Sequence, residues 1–289
     1  MSCRIENLQT NEKSVFVGFA GWSYPDWKGI VFPDKGAGKM GPLEFISSFF
    51  DVVEVNSTFY RIPEARHVQN WIQRTLHNPR FQFTVKLYRG FSHESGGYGR
   101  KEIVSFGQVL ELFQQRGKLG ALLVQFPYRF HQNYENRKHL IRLRQIFSEW
   151  PMVVEFRHRS WLNRAVLDFL KELNVGFCNI DQPRVSYSMP LTAIATTSTG
   201  YLRCHGRNES HWFGADTNRD LRYHYRYPFP ELIEIKETVE NISGSCEKVF
   251  VIFNNHFKGN EVFDAARLLT LMGCGKKWPS RWNIMPERP

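Results

Sequence analysis

No stretch of this 289-residue chain reaches the ~18 consecutive apolar residues that a membrane-spanning helix needs. The opening residues MSCRIENLQTNEK hold no apolar run of the kind a secretory signal carries, so the sequence predicts a cytoplasmic protein with no membrane partner. Cysteine is scarce: Cys3, Cys178, Cys204, Cys246 and Cys274 are scattered, odd in number and nowhere spaced C-x-x-C. That excludes a disulfide framework and a zinc knuckle and predicts reduced thiols. Also missing are the nucleophile elbow G-x-S-x-G, the phosphate loop G-x-x-x-x-G-K-[ST] and the zinc motif H-E-x-x-H. Serine hydrolase, P-loop nucleotidase and zinc protease readings therefore have no local support.

What the chain does have is positive charge and aromatic mass. A formal net charge of +10 favours anionic partners: phosphorylated metabolites, nucleic acid or an acidic surface. With 42% hydrophobic residues, 24 Phe and 8 Trp, it has ample material for a packed core.

The hydrophobic pattern repeats one unit, a short apolar run followed by a longer stretch of helical period. Strands are expected at residues 14–20, 52–56, 82–87, 121–126, 153–157, 175–181, 200–205 and 248–254. Helices are expected at 42–50, 64–77, 101–116, 136–150, 160–173, 228–242 and 260–272. Eight strands alternating with helices imply a single α/β domain, a (β/α)8 TIM-type barrel spanning 1–289 with its core at about 14–272. The Ser-, Thr- and Pro-rich segment 182–199 breaks the pattern and predicts an irregular crossover between strands 6 and 7. The basic segment 273–289 is expected to wrap the surface, ordered in part by Trp278 and Trp282.

TIM barrels keep their chemistry at the C-terminal strand ends, and here those ends are polar. Trp22 and Tyr24 follow the first strand, Glu54 and Asn56 lie on the second, Lys86 on the third and Gln125 on the fourth. Glu155 and Arg157 lie on the fifth, Asp181 on the sixth, Arg203 and His205 on the seventh, and Asn254 and Asn255 on the eighth. Tyr60 follows the second strand in VEVNSTFYR. The pairs Glu54 and Asn56, Glu155 and Arg157, and Arg203 and His205 are spaced i, i+2, so each shares one strand face.

Buried cations need partners, and a Glu54 to Lys86 ion pair between adjacent strands is expected. The spare donors of Lys86, Arg157 and Arg203 suit a phosphate or carboxylate ligand, with Glu54, Glu155 and His205 as the acid–base candidates. Glu54, Glu155, Asp181 and His205 together have the oxygen and imidazole donors of a divalent-metal site, but the neighbouring Arg and Lys oppose a cation, so no cofactor is expected. Two long connections lie on the same face. Residues 88–100 are glycine-rich, as a lid or a plain loop would be. Residues 206–227 interleave Arg207, Arg219, Arg222 and Arg226 with Trp212, Phe213, Tyr223, Tyr225 and Tyr227, which fits either a packed barrel cover or a nucleic-acid stacking surface. Trp27 is expected to plug the core, and His67, His77 and His139 to sit on helix surfaces.

The segments GFAGWSYPDWKGIVFP, VVEVNSTFYRIP, FQFTVK, LLVQFP, VVEFRHRSW, YLRCHG and VFVIFNNH, in this order, resemble the YecE-like family, catalogued as domain-of-unknown-function family seventy-two. The resemblance covers nearly the whole chain. It implies a TIM-type barrel with one pocket at its C-terminal end and no established activity. The family's motif residues fall on Trp22, Tyr24, Glu54, Asn56, Thr58, Tyr60, Lys86, Gln125, Glu155, Arg157, Trp161, Arg203, His205, Gly206, Asn254 and Asn255. Departures occur at Phe19 and Ala20 and at His256 and Phe257, and these bear on the shape of the pocket. The resulting expectation is an enzyme acting on an anionic, phosphorylated substrate at the barrel mouth, a hydrolase or a lyase. The alternatives are a nucleic-acid-binding protein and a metal-assisted phosphodiesterase.

Overall fold

A strand buried on both faces is built mostly of apolar residues, and Val52–Val55 is such a strand, three valines around Glu54 with every residue shielded from water. The computed structural model describes residues 14–34, 40–94, 96–185, 187–209 and 223–284. Its strands are β1 (Ser14–Ala20), β2 (Val52–Val55), β3 (Gln82–Lys86), β4 (Leu119–Gln125), β5 (Met152–Glu155), β6 (Gly176–Asp181), β7 (Thr199–Cys204) and β8 (Lys248–Phe253). All pair in parallel in sequence order, and β1 closes on β8 from Ser14 opposite Lys248 to Phe19 opposite Phe253. The result is a closed eight-stranded barrel, as the pattern predicts.

Helices α1 (Pro42–Ser47), α2 (Ala65–Arg74), α3 (Arg89–Ser92), α4 (Arg100–Gln115), α5 (Tyr134–Ile146), α6 (Arg164–Glu172), α7 (Phe229–Ser243) and α8 (Asn260–Leu271) lie between and after the strands. Most long helices bury one stripe, such as Val166 and Leu170 of α6, four residues apart, whereas α8 is buried all round from Asn260 to Leu269. Starts are set by side chains: Asn133 accepts from the Asn136 amide at the head of α5 and Asn163 from the Val166 amide at the head of α6. Most expected helices are one to four residues too long at an end, because the apolar stripe continues into the flanking turns. His139 is half-buried rather than a surface residue, its ring 2.8 Å from the Phe91 carbonyl.

The lower barrel interior is aromatic. Phe16 stacks on Phe250 at 5.1 Å, and Gly120 leaves the space that Phe250 fills, since a Cβ there would lie 2.7 Å from its ring. Gly18 permits the close approach of β1 to β2, where a Cβ would meet the Val52 carbonyl.

No described residue between β6 and β7 is helical. Asn179 instead binds the backbone of Ile194 through both its amide atoms and accepts from Thr192. The C-terminal segment packs back as expected: Trp282 is 2% exposed, donates to the Val31 carbonyl and lies against Phe49 and Phe50. Trp27 is fully buried, as expected. No helix among the described residues is long and apolar enough to cross a membrane.

Candidate active site

Six strand ends feed one cavity of about 630 Å³ at the C-terminal mouth. Of the sequence candidates, Trp22, Tyr24, Asn56, Tyr60, Lys86, Gln125, Arg157 and Asn254 line it. Tyr24 forms part of the wall, its hydroxyl donating to the Ala20 carbonyl and its ring stacked on His256. Trp22 is wedged between Trp71 and Phe83, while Tyr60 remains 59% exposed at the rim.

Glu54, Glu155, Arg203 and His205 lie under the cavity and are fully buried. Arg203 donates from Nε and Nη2 to the two oxygens of Glu54 at 3.0 and 2.7 Å, and from Nη1 to Glu155 at 2.6 Å. Tyr201 adds a hydrogen bond to Glu54 at 3.0 Å. The second Glu155 oxygen lies 2.5 Å from Nε of Arg157, whose Nη1 donates to Gln182. His205 accepts at Nδ1 from the Asn254 amide, which puts its proton on Nε2, 3.5 Å from Glu155.

Burial would raise the Glu155 carboxyl, but Arg157 and Arg203 hold it well below the usual carboxylate range. Burial would strip the proton from Arg203, but Glu155 and Glu54 keep it charged. His205 is pushed down to about 3 by burial and by Arg157, so its imidazole is neutral at pH 7.

The expected Glu54 to Lys86 ion pair does not form. Arg203 takes both Glu54 oxygens, and Lys86 places Nζ 4.4 Å from the centre of the Phe59 ring. Among the described residues the Lys86 amine has no hydrogen bond or ion pair. Burial and the Arg203 charge, outweighing Glu54 and Glu155, lower it to about 7. Thr58 fixes the Lys86 backbone, its hydroxyl 2.6 Å from the Lys86 carbonyl and 2.7 Å from that of Val55.

Two further candidates leave the site. Asp181 shares the outer face of β6 with Asn179. Its carboxylate is held by Arg207 at 2.8 Å and by the Tyr227 hydroxyl at 2.6 Å, against α7. Asn255 also turns away, donating to Asp264 and to the Tyr225 carbonyl. The proposed metal set of Glu54, Glu155, Asp181 and His205 is thus split between the barrel interior and its outside, with Arg203 between the two glutamates.

The basic and aromatic connection is described only in part; Arg219, Arg222, Trp212 and Phe213 lie outside the described residues. Of its described residues, Arg207 binds Asp181 and Glu234, Tyr225 binds Glu231, and Arg226 covers Phe263, which is the packed-cover arrangement. Tyr223 reaches the cavity. Residues 88–100, apart from 95, are folded rather than open: Phe91 is buried and stacks on Tyr98 at 4.4 Å.

That segment delivers a residue the sequence reading missed. His93 lines the cavity edge-on to Phe59, and burial with the nearby Lys86 charge lowers it to about 4. No periodicity marks a histidine on an irregular turn. Phe59 and His256 also line the cavity, and the i, i+2 alternation used to choose candidates does not extend into such turns. Glu261 of α8 was missed as well. It is fully buried, and burial together with the Glu54 charge raises its carboxyl well above the usual range.

Residues 16–287 match the family model described as "Protein of unknown function DUF72". The chain is 32% identical over 272 residues to the UPF0759 protein YunF of Bacillus subtilis (strain 168), covering 89% of this chain and 94% of that protein. The crystal structure of a DUF72 family protein from Thermotoga maritima MSB8 matches with a TM-score of 0.81 at 31% identity, covering 90% of this chain and 99% of that one. A DUF72 family protein from Enterococcus faecalis V583 gives 0.80 at 25% identity, over 91% and 97%. A TIM-type barrel of this length, with these strand-end motifs in this order, belongs to the DUF72 family of proteins of unknown function.

Proposed function

We propose that the cavity is the active site of an enzyme acting on a small anionic, phosphorylated substrate, with Arg157 receiving the anion and Lys86 moving the proton at the reacting centre. The observation that carries this reading is the Lys86 amine, which faces the cavity over Phe59 with no carboxylate of its own. Arg157 and Arg203 already counter the charge of Glu54 and Glu155, so a third cation finds no counter-charge. An amine titrating near 7 serves both as base and as acid at neutral pH. An anion entering beside it supplies the missing negative charge. Arg157 is oriented by Glu155 and Gln182 at the cavity wall, where its planar fork matches a phosphate. The candidate carboxylates Glu54 and Glu155 then act by fixing Arg157 and setting the field at Lys86, not by touching substrate.

The test is thermal stability in phosphate against chloride at matched ionic strength. With dissociation near ~1 mM, 100 mM phosphate contributes about 2.7 kcal/mol by mass action. Phosphate also stabilises proteins by exclusion from their surface, so the comparison is with Arg157→Ala. The expected result is a larger shift in wild type; equal shifts in both proteins overturn the anion site.

A further inference from the structure

We propose that Lys86 is a nucleophile that forms an imine with a substrate carrying a carbonyl group close to its anionic group, as in an α-oxo acid or a phosphorylated aldehyde. This rests on the reading of the cavity as an active site and adds to the proton transfer at Lys86 a covalent step, in which the same amine, once deprotonated, attacks the substrate.

The geometry that points to it is the isolation of one primary amine. Lys86 ends β3 at the mouth of the barrel, and Thr58 holds its backbone. Its Nζ lies over the face of Phe59, with no donor among the described residues to occupy its lone pair and no acceptor to take its protons. A lysine kept for charge alone sits against a carboxylate, yet the two nearby carboxylates are both taken by arginines. The groups acting on the amine are Glu54, Glu155, Arg157, Arg203 and His93. Together with burial they leave it titrating near 7, so an appreciable fraction is the free amine that a nucleophile requires. Asn56 adds an independent sign of a ligand: it lines the cavity, and its buried Oδ1 has no hydrogen-bond partner.

The step balances without a further reactant. The Lys86 lone pair attacks the carbonyl carbon, the C=O π pair moves to oxygen, and a proton passes from nitrogen to that oxygen to give a carbinolamine. The C–O bond then breaks, oxygen leaves as water with one further proton, and the nitrogen lone pair closes the C=N bond. Amine and carbonyl become imine and water. The imine, when protonated, is a cation that the Phe59 face receives as it does the ammonium. Arg157, on the neighbouring wall, positions the substrate's anionic group so that the carbonyl reaches Nζ.

The experiment is borohydride trapping on the full chain, with pyruvate and glycolaldehyde phosphate as anionic probes and propanal as the neutral control. Intact mass and peptide mapping read the reduced adduct. The expected result is one adduct at Lys86 with at least one anionic probe, rising with pH through about 7 and lost in Lys86→Met and Lys86→Arg. No adduct with either anionic probe overturns the proposal, as does labelling spread over surface lysines and unchanged in Lys86→Met. Should the variants fail to fold, site occupancy and its pH profile in wild type decide the matter alone. The two readings fail separately. Phosphate stabilisation dependent on Arg157, without an adduct, removes the imine and keeps the anion site. A Lys86 adduct formed equally by propanal and indifferent to Arg157→Ala keeps the imine and removes the anionic substrate.

Discussion

Arg203 leaves β7 and crosses the barrel to Glu54 on β2 and Glu155 on β5, strands that are not its neighbours in the sheet. Replacing it by Leu leaves the buried Glu54 with the Tyr201 hydroxyl alone and Glu155 with Arg157 alone, and breaking a buried pair in this way costs about 3–5 kcal/mol. Urea unfolding of Arg203→Leu measures this; a loss below about 1 kcal/mol would mean that the network does not hold the barrel interior together. The sequence shows that a cation and carboxylates share the mouth, because i, i+2 spacing puts each pair on one face. It does not show who reaches whom. Arg203 is long enough to span the interior, so the adjacent-strand pairing of Glu54 with Lys86 loses to a bidentate contact across the barrel. Asp181 was misplaced for a related reason: Asn179 and Asp181 alternate with Cys178 and Ile180, but β6 is buried on both faces, so polarity does not mark which set points inward.

At the scale of elements, the eight strands were legible because each is an apolar run of strand length bounded by turns. The missing helix between β6 and β7 was legible too, since Ser, Thr and Pro supply no apolar stripe. What stood outside the sequence was how that crossover is tied down. Asn179 does it, satisfying the Ile194 amide and carbonyl and the Thr192 hydroxyl, and donating to the Tyr201 carbonyl. Asn179→Ala leaves several of these groups without partners in the interior, at about 1–3 kcal/mol for each that water does not reach. The unfolding free energy from denaturant titration is expected to fall by about 2–4 kcal/mol; a change within about 0.5 kcal/mol would show that the crossover is held by other contacts. The turn carrying His93 and the segment carrying His256 offered no comparable signal, since neither follows a helix or strand period.

Across the whole molecule, the +10 charge and the cavity point toward the same class of ligand, but they do so by different means. Net charge steers any anion toward the surface. In the proposed reading the cavity selects one by carrying on its wall both Arg157 and an amine that lacks a counter-charge. The neutralised floor of two carboxylates against two guanidiniums is what leaves Lys86 in this state, so the account stands or falls on the Lys86 amine. Its titration can be followed directly by NMR of the lysine ε-methylene in isotopically labelled protein, assigned with Lys86→Arg, without and with phosphate. Because the folded protein disfavours the ammonium, the free protein is expected to show Lys86 changing charge near 7, while surface lysines titrate near ~10.4. Phosphate favours the ammonium and is expected to move the Lys86 midpoint upward. A midpoint near that of the surface lysines, unmoved by phosphate, would contradict the account.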